Sequence, residues 1–219
     1  MRIWNMLICG IGGQGVMLIK RILENAALRE KLQGGKIRKM IGAEKHGLSQ
    51  REGATDVYTR FLILEPNEKY DDLLLTSPTL FYGDADLAIG VEPVELLRNA
   101  IYFSEKTFII LNTRSFPPCA VISGLMEYPS IETIVNAIKD ISGSSKILLV
   151  DASTIAIERF NNALRTNMIL LGVTYATNHL PLKLSSIQAV IREKVPEPDD
   201  NLTAFDYGIE TGKKLMESI

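Results

Sequence analysis

A glycine-rich segment near the start of the chain has the residue types and the spacing of a phosphate-binding loop. Residues 10–15 read GIGGQG, fit the pattern G-x-G-x-x-G, and lie between an apolar run of strand length and a helical pattern. Glycines permit a tight turn and close approach of a ligand, and the N-terminus of a helix offers free N–H groups to an anion. The segment therefore predicts a cofactor-binding loop made of Gly10, Ile11, Gly12, Gly13, Gln14 and Gly15. The alternative is that these glycines only let the strand and the helix pack closely.

A second polar segment, residues 42–53, reads GAEKHGLSQREG, and its glycines predict loop geometry. Loops at the carboxyl ends of strands in a doubly wound sheet line one crevice, so we expect this segment beside the glycine loop. An imidazole there could exchange a proton near neutral pH, and a guanidinium could hold a phosphate or carboxylate at two points. The candidate cleft residues are Glu44, His46, Gln50 and Arg51. The alternative is a solvated loop whose charges pair with one another.

These two segments belong to a chain in which short apolar runs alternate with amphipathic helical patterns. The predicted strands are residues 6–9, 36–41, 57–64, 87–91, 107–111 and 146–150. The first predicted helices are residues 14–29 and 93–102, followed by a helix that Ser130 caps. A further helix is predicted over residues 153–173, with a break near Arg165, and a last one after Asn201. This alternation predicts an α/β fold, a Rossmann-like doubly wound and mainly parallel sheet with helices on both faces. We find no linker that divides residues 1–219, so one domain is expected, and the PEPDD segment at 196–200 is predicted to be a loop.

Composition excludes several classes of protein. The 219 residues are 46% hydrophobic and 23% charged with a net charge of -2, which excludes a disordered chain and gives no sign of nucleic-acid or membrane-surface binding. We find neither a signal peptide nor an apolar run near the ~18–20 residues of a membrane span, so a cytoplasmic location is expected. Cys9 and Cys119 are the only cysteines, so this chain by itself cannot ligate a four-cysteine iron–sulfur cluster.

The two polar segments together resemble those of a known family. Residues 10–16 (GIGGQGV) and 44–51 (EKHGLSQR) are similar to segments of the gamma-type subunits of 2-oxoacid:ferredoxin oxidoreductases, and most of all to the small (beta) subunits of the indolepyruvate branch. Further matches follow in the family's order along nearly the whole chain: Ser77-Pro78 with Gly83 and Asp86, residues 92–98 (EPVELLR), Asn112-Thr113 with Pro117, Asn167-Met168 with Leu171-Gly172, and Asn201 with Ala204-Phe205 and Gly208. One departure is Glu52, which stands between Arg51 and Gly53 where the family has two glycines after the arginine. This carboxylate could pair with Arg51 and weaken its reach to an anionic ligand.

The resemblance implies a subunit of an enzyme that oxidatively decarboxylates a 2-oxo acid, here an aryl pyruvate, to an acyl-CoA and CO2 while reducing ferredoxin. Thiamine diphosphate, Mg and 4Fe–4S clusters would belong to a large partner subunit, through which ferredoxin would be reduced, and none would be bound by this chain alone. The glycine loop would bind the phosphate-bearing part of coenzyme A. The second polar segment and Asn112 would line the cleft or the subunit interface. No catalytic residue and no metal ligand is assigned to this chain, and alone it is expected to be inactive.

Two other functions stay open at the level of the sequence. The pattern G-x-G-x-x-G also occurs in NAD(P)-dependent dehydrogenases, but these place an acid about 20 residues further on, at the end of the second strand. Glu44 lies 29 residues after Gly15, which weakens that interpretation. A non-catalytic binding module with a Rossmann-like fold is the other alternative.

Overall fold

One mixed sheet lies at the centre of the computed structural model, which describes residues 1–47, 53–65, 68–69, 75–144 and 146–218. Within these residues the sheet has six strands in the order β2-β3-β1-β4-β5-β6. Strands β1, β4, β5 and β6 run parallel to one another, whereas β3 runs antiparallel to both of its neighbours, β1 and β2. The strands are β1 (Arg2–Ile11), β2 (Ile37–His46), β3 (Ala54–Ile63), β4 (Leu87–Gly90), β5 (Phe108–Asn112) and β6 (Ile147–Val150).

Strand β2 is longer than the sequence pattern indicates. The prediction ended it at Ile41 and placed the following residues in a loop, but the strand continues to His46. The prediction of a loop over residues 42–46 was therefore wrong, because Gly42 to His46 pair one by one with Thr59 to Thr55 of β3. Ladder hydrogen bonds outweigh the turn preference of a glycine here. Since two successive antiparallel pairings restore the direction, β2 ends at the same edge of the sheet as β1.

Helices cover both faces of the sheet, which confirms the doubly wound architecture. Side chains of β1 alternate between the two layers: Trp4, Met6 and Ile8 pack in one core with α1, α6, α7 and α8, and Leu7 and Cys9 pack in the other with α2 and α4. The helices are α1 (Val16–Leu32), α2 (Pro93–Arg98), α3 (Cys119–Ile122), α4 (Ile131–Ser142), α5 (Ala152–Phe160), α6 (Thr166–Ala176), α7 (Leu184–Lys194) and α8 (Pro198–Glu217).

The helix boundaries agree with local chemistry, and the break that was predicted near Arg165 is present, whereas the start of α8 and the existence of α7 differ from the prediction. Ser130 caps α4 as predicted, since its hydroxyl accepts a hydrogen bond from the Thr133 N–H at 3.1 Å. The predicted helix over 153–173 is interrupted by Asn161, which has a φ of 48°, and by a 3-10 turn at Ala163–Arg165. Helix α8 begins at Pro198 inside the segment predicted as a loop, because proline is well suited to a first helical turn. Helix α7 was not predicted.

One close contact joins α6 to α8, and another joins β1 to β3 near the start of β1. A Cβ atom on Gly208 of α8 would lie 2.3 Å from the carbonyl oxygen of Ile169 in α6, so the two backbones touch where glycine stands. Near the start of β1, the ring of Trp4 stacks on Phe61 of β3 with the centroids 5.3 Å apart.

In the part of the chain that the structure describes, no helix has the length and hydrophobicity needed to cross a membrane.

Candidate functional site

The glycine loop forms the turn from β1 into α1 at the carboxyl edge of the sheet. Gly12 and Gly13 are exposed, and the Gly12 N–H donates to the Gly53 carbonyl at 2.8 Å, which ties the loop to the start of β3. Gly13 and Gly15 have φ values of 94° and 80°, in the left-handed region that favours glycine. Among the described residues, no atom beyond the adjoining ones in the chain lies within 4 Å of where a Cβ of Gly13 would be, which leaves room for a ligand on that side of the backbone.

The other residues of the predicted loop fix its shape. Gly10 and Ile11 are buried residues of β1, and a Cβ on Gly10 would lie 2.8 Å from Val16 Cγ2. The Gln14 side chain turns back over the loop, where its Oε1 accepts a hydrogen bond from the Ile11 N–H at 2.9 Å. We therefore separate the six predicted residues into two groups. Gly10, Ile11 and Gln14 shape the turn, and Gly12, Gly13 and Gly15 present its backbone.

The N-terminus of α1 has the properties of an anion site. Gly15 is the N-cap residue, no side chain of the described residues caps the helix, and the first turn carries no acidic residue. The N–H groups of Val16 and Met17 precede the helix's own hydrogen-bond ladder, and the partial positive charge of the helix end is not neutralised by its own sequence. An anion such as a phosphate could bind here.

A cleft of about 360 Å³ opens on the side of the loop that faces β2 and β3. It is lined by the glycine loop, the first turns of α1, Arg21, His46 and Thr55. The structure thus brings His46 beside the glycine loop, with the start of β3 between them. Arg21 was not singled out from the sequence, although its position less than two turns along α1 from Gly15 places it near the helix N-terminus.

Glu44 contacts α1 and does not reach out toward the loop. Its Oε1 accepts a hydrogen bond from Lys20 Nζ at 2.9 Å, and its Oε2 lies 3.7 Å from Nε2 of His46. The hydrogen bond from Lys20 lowers the pKa of Glu44. Glu44 therefore lies next to the imidazole that lines the cleft. The predicted cleft residues Gln50 and Arg51, together with Glu52, lie outside the described residues.

Two buried carboxyl groups lie on the other side of His46. Asp56 of β3 accepts a hydrogen bond from Asn99 Nδ2 at 2.8 Å, and Glu95 of α2 accepts one from Arg98 at 2.9 Å. Burial raises the pKa of both carboxyl groups above the ordinary values. They line a pocket of about 200 Å³ together with His46. In the described part of the chain, no group of three or more His, Cys, Asp or Glu side chains could hold a metal ion.

A second cavity, of about 270 Å³, opens on the opposite side of the glycine loop, toward β4, β5 and β6. Its walls come from Gly13 and Gln14, from the segment after β5, and from the start of α6. Asn167 of α6 is 6% exposed, and its Oδ1 has no hydrogen-bond partner among the described residues. A Cβ on Gly15 would lie 1.9 Å from Asn167 Nδ2, so the asparagine packs directly on the loop. In the sequence Asn167 stood out only as part of the family motif.

Asn112 and Glu92 support the walls of this cavity from inside the protein. Asn112 is buried, and its Nδ2 donates to the Val91 carbonyl and to Ser153 Oγ, both at 3.0 Å. Asn112 was predicted as a cleft residue, and the structure places it one hydrogen bond behind the cavity wall. The buried Glu92 accepts hydrogen bonds from the Phe116 N–H at 3.2 Å and from the Tyr128 hydroxyl, which holds the Phe116 segment in place.

Comparison with known proteins extends over nearly the whole chain. The family model described as pyruvate ferredoxin/flavodoxin oxidoreductase matches residues 5–211. A curated relative from Pyrococcus horikoshii, an indolepyruvate oxidoreductase subunit named IorB, is 35% identical over 218 residues, which are 99% of either chain.

Solved structures share the fold at low sequence identity. A pyruvate oxidoreductase subunit, PORC, from Thermotoga maritima superposes with a TM-score of 0.63 and 17% identity, and the match covers 96% of this chain and 97% of that one. A 2-oxoglutarate:ferredoxin oxidoreductase from Magnetococcus marinus, solved with 2-oxoglutarate, coenzyme A and succinyl-CoA bound, superposes with a TM-score of 0.66 and 14% identity. That match covers 98% of this chain and 32% of the larger one.

Proposed function

Because the chain belongs to the pyruvate ferredoxin/flavodoxin oxidoreductase family and is a subunit of a 2-oxoacid:ferredoxin oxidoreductase, we propose that its complex acts on aryl 2-oxo acids such as indolepyruvate. The reaction is oxidative decarboxylation to an acyl-CoA and CO2, with the electrons passed to ferredoxin. The full-length similarity to a subunit named for indolepyruvate supports this substrate class. We further propose that the complex is cytoplasmic.

The contribution of this chain is the binding of coenzyme A at the glycine loop. One observation carries this proposal: in the part of the chain that the structure describes, the N-terminus of α1 has no side-chain cap and lies behind exposed glycine backbone with open space at Gly13. A diphosphate fits such a site because N–H groups and the helix dipole both favour negative charge. Bound coenzyme A would supply the thiol that accepts the acyl group. The structure solved with coenzyme A bound has the same fold, which supports this choice of ligand.

The cleft beside β2 adds two nitrogen-bearing side chains to the same edge of the sheet. Arg21 and His46 both line it, so a phosphate held at the loop has a guanidinium and an imidazole nearby. The residues that shape the loop, Gly10, Ile11 and Gln14, keep its backbone N–H groups fixed before the ligand arrives, which lowers the entropy lost on binding. Gln50 and Arg51 remain proposed members of this cleft or of the subunit interface.

The chemistry of decarboxylation and electron transfer belongs to a large partner subunit in this proposal. That subunit would carry thiamine diphosphate with Mg and the 4Fe–4S clusters, and ferredoxin would dock on it. The sequence of the present chain supports this division, since two cysteines are too few to ligate a four-cysteine cluster. The present chain would form the coenzyme A-binding wall of a cleft that lies between the two subunits.

Steady-state kinetics of the complex purified with its partner subunit tests the proposal. Aryl-pyruvate-dependent reduction of ferredoxin is measured as the coenzyme A concentration is varied. Gly13→Val should raise the KM for coenzyme A at least tenfold and leave the KM for the 2-oxo acid within twofold, because the added methyl groups fill the space against the loop. Gly34→Val is the matched control, since Gly34 also has a positive φ, 78°, and open space around it, but lies beyond the other end of α1. An unchanged KM for coenzyme A, or full activity of the chain without its partner, would contradict the proposal.

The dehydrogenase alternative is not favoured by the arrangement of strands. In a dinucleotide-binding fold an acid on the strand beside β1 holds the ribose, at the carboxyl edge of the sheet. Here β1 has two neighbours: the antiparallel β3, which brings Ala54 and Thr55 to that edge, and the parallel β4. The acid that follows β4, Glu92, is buried and already accepts hydrogen bonds from the Phe116 N–H and the Tyr128 hydroxyl. Titration of the chain with NADH and with coenzyme A separates the two functions. Binding of NADH alone would favour the dehydrogenase.

A further inference from the structure

Three large apolar side chains are exposed close together in the segment between β5 and α4. Ile122 is 75% exposed, Leu125 is 81% exposed and Met126 is 64% exposed. Among the described residues, none of the three packs in a hydrophobic core. Apolar surface in water is unfavourable, and a group of such side chains at one place indicates a surface that another molecule covers. These three residues are termed the α3 tip.

The backbone of the α3 tip is held by its own hydrogen bonds. Helix α3 is followed by Gly124, which has a φ of 74°. The N–H groups of Gly124 and Leu125 donate to the carbonyls of Val121 and Ala120 at 3.0 and 2.9 Å, which is the Schellman motif that ends many helices. The residue after the glycine commonly packs back on its helix in this motif, yet Leu125 remains exposed. The motif therefore presents Leu125 to a partner and fixes the turn that carries it.

One buried carboxylate fastens both ends of the loop that carries the α3 tip. Glu92 Oε1 accepts a hydrogen bond from the Phe116 N–H at 3.2 Å and another from the Tyr128 hydroxyl. Glu92 is 1% exposed, and it also caps α2 by accepting from the Glu95 N–H at 2.9 Å. Residues 117–127 thus form a loop that is closed at its base against the sheet domain. A surface that is ordered before binding loses less entropy when a partner covers it.

The loop extends from the same edge of the sheet as the glycine loop. It follows β5, which runs parallel to β4 and through it to β1, so the carboxyl ends of these strands lie together. Phe116 at the base of the loop and Gly13 of the glycine loop line one cavity. A molecule that covers the α3 tip is therefore close to the edge at which the proposed function places the cleft between two subunits.

We infer that the α3 tip inserts into an apolar groove of the large partner subunit and anchors this chain beside the shared cleft. The inference rests on the proposed function, which gives the chain this partner, and it adds the surface by which the partner holds the chain. Apolar side chains that enter a fully desolvated pocket provide most of the binding energy of an interface. The large subunit also faces the glycine loop, so the rest of the interface is continuous with the tip.

Charge does not favour a membrane surface as the occupant. Between residues 115 and 131, Glu127 is the only charged residue of the sequence. Segments that lie on anionic lipid surfaces carry clusters of lysine and arginine, which attract the headgroups. An apolar tip whose single charge is negative is instead suited to a groove in a protein.

Geometry does not favour a second copy of this chain. A symmetric contact from tip to tip would bury only the α3 tip and its immediate neighbours on either side. A stable interface buries about 800 Å² on each partner, or roughly 20–30 residues. A tip that entered a different site on a second copy would make a heterologous contact, which extends into open chains unless the rotation closes a ring.

Binding of the chain to its purified large partner subunit, measured by surface plasmon resonance, tests the inference. The double variant Ile122→Ser/Leu125→Ser should raise the Kd at least about tenfold, because it removes two anchors. Met126→Lys, which places a charge on the tip without altering the turn, should weaken binding in the same direction. Leu32→Ser is the matched control, since Leu32 is 79% exposed but lies at the far end of α1, at the opposite edge of the sheet. It should bind as the unaltered chain does.

Two further measurements separate docking from folding and from chemistry. Urea midpoints should be the same for all variants, because exposed side chains contribute little to stability. In the ferredoxin-reduction assay, the tip variants should need a higher concentration of the large subunit for half-maximal activity. They should recover the unaltered kcat when the large subunit is saturating, since the α3 tip holds the partner and takes no part in the reaction.

The outcomes distinguish this inference from the proposed function. An unchanged Kd for the large subunit in both tip variants would overturn the inference and leave coenzyme A binding in place. A complex whose assembly depends on the α3 tip, but whose activity does not depend on coenzyme A, would contradict the proposed function and keep the docking surface. Sedimentation of the chain alone as a dimer that the tip variants dissociate would assign the tip to a second copy. Cosedimentation with phosphatidylglycerol vesicles that the variants abolish would assign it to a membrane, and either result would overturn the inference.

Discussion

At the scale of single residues, the site depends on one pair that is distant in sequence. Gly15 ends the loop and Asn167 begins α6, yet the asparagine amide occupies the space that a side chain at position 15 would fill. Glycine is therefore required at position 15 for two reasons: the backbone is left-handed there, and Asn167 fills the space that a Cβ would occupy. Sequence reasoning identified the first need from the pattern. The second depends on a contact between residues 152 positions apart, which no local pattern contains.

The double role of Gly15 predicts a graded effect of alanine substitutions. Gly15→Ala should lower the free energy of unfolding by about 2–3 kcal/mol, because strain at positive φ adds to the collision with Asn167. Gly34→Ala should lower it by only about 1–2 kcal/mol, since its φ of 78° is similar and no described residue beyond its chain neighbours lies within 4 Å of the added Cβ. Urea unfolding of both variants measures the difference. Equal losses would mean that the contact with Asn167 is unimportant for stability.

The buried Asp56 predicts a particular pH dependence of stability. Burial raises the pKa of Asp56 above 3.8, so the native state binds this proton more tightly than the unfolded state does. The stability that Asp56 contributes is complete below pH 3.8 and is lost as the pH rises through the higher native value. Asp56→Asn should remove this loss and flatten the decline of unfolding free energy with pH, measured by urea unfolding at several pH values.

Glu44 provides a control of opposite sign for the pH experiment. The hydrogen bond from Lys20 lowers the pKa of Glu44 below 4.5, so its contribution is present above pH 4.5 and is lost as the pH falls through the native value. Glu44→Gln should therefore reduce stability at neutral pH and have no effect in acid. If both variants changed the profile in the same direction, the assigned environments would be wrong.

At the scale of elements, periodicity in the sequence predicts most of the strands and helices but not the order of the strands. The apolar runs of β4, β5 and β6 and the capped start of α4 are local signals. The insertion of β3 between β1 and β2 is a pairing between distant segments, and an antiparallel partner satisfies the same apolar pattern as a parallel one. Helix α7 carried a readable signal, since Ile187, Val190 and Ile191 have helical spacing and are buried.

The packing of α6 against α8 predicts a result opposite to helix propensity. Gly208→Ala should improve the propensity of α8 by up to about 1 kcal/mol, but the new Cβ would lie 2.3 Å from the Ile169 carbonyl oxygen. Overpacking against backbone costs about 1–3 kcal/mol, so we expect a net loss of stability. Glu210→Ala, at an exposed position of the same helix, should stay within about 0.5 kcal/mol of the original. A stabilised Gly208→Ala would show that the helices can separate at little cost.

At the scale of the whole molecule, the carboxyl edge of the sheet collects the candidate groups from distant parts of the chain. The glycine loop, His46, Asn167 and Phe116 meet there. The loop and His46 could be predicted because they stand in conspicuous polar segments. Phe116, Arg21 and Arg114 could not, since their residue types are ordinary and only the fold brings them to this edge of the sheet.

Ligand binding at this edge predicts a change in the stability of the whole chain. Coenzyme A at 100 times its Kd should stabilise the native state by about 2.7 kcal/mol. For a chain of this length that corresponds to a rise in Tm of about 5–10 °C. Thermal unfolding with coenzyme A, and with NADH in parallel, measures the effect. A rise with NADH and none with coenzyme A would reverse the assignment of the ligand.

The stacking of Trp4 on Phe61 makes the intrinsic emission of this protein a reporter with a known location. Trp4 is the only tryptophan in the sequence, and its indole is buried near the start of β1, whereas the glycine loop follows the end of the same strand. Trp4 and Ile11 are seven residue steps apart along the strand, which is about 23 Å at ~3.3 Å per step. A ligand at the loop is too far away to touch the fluorophore. A shift of tryptophan emission on adding a ligand would therefore report a rearrangement carried along β1 and β3, and an unchanged spectrum would indicate a sheet that stays rigid while the loop binds.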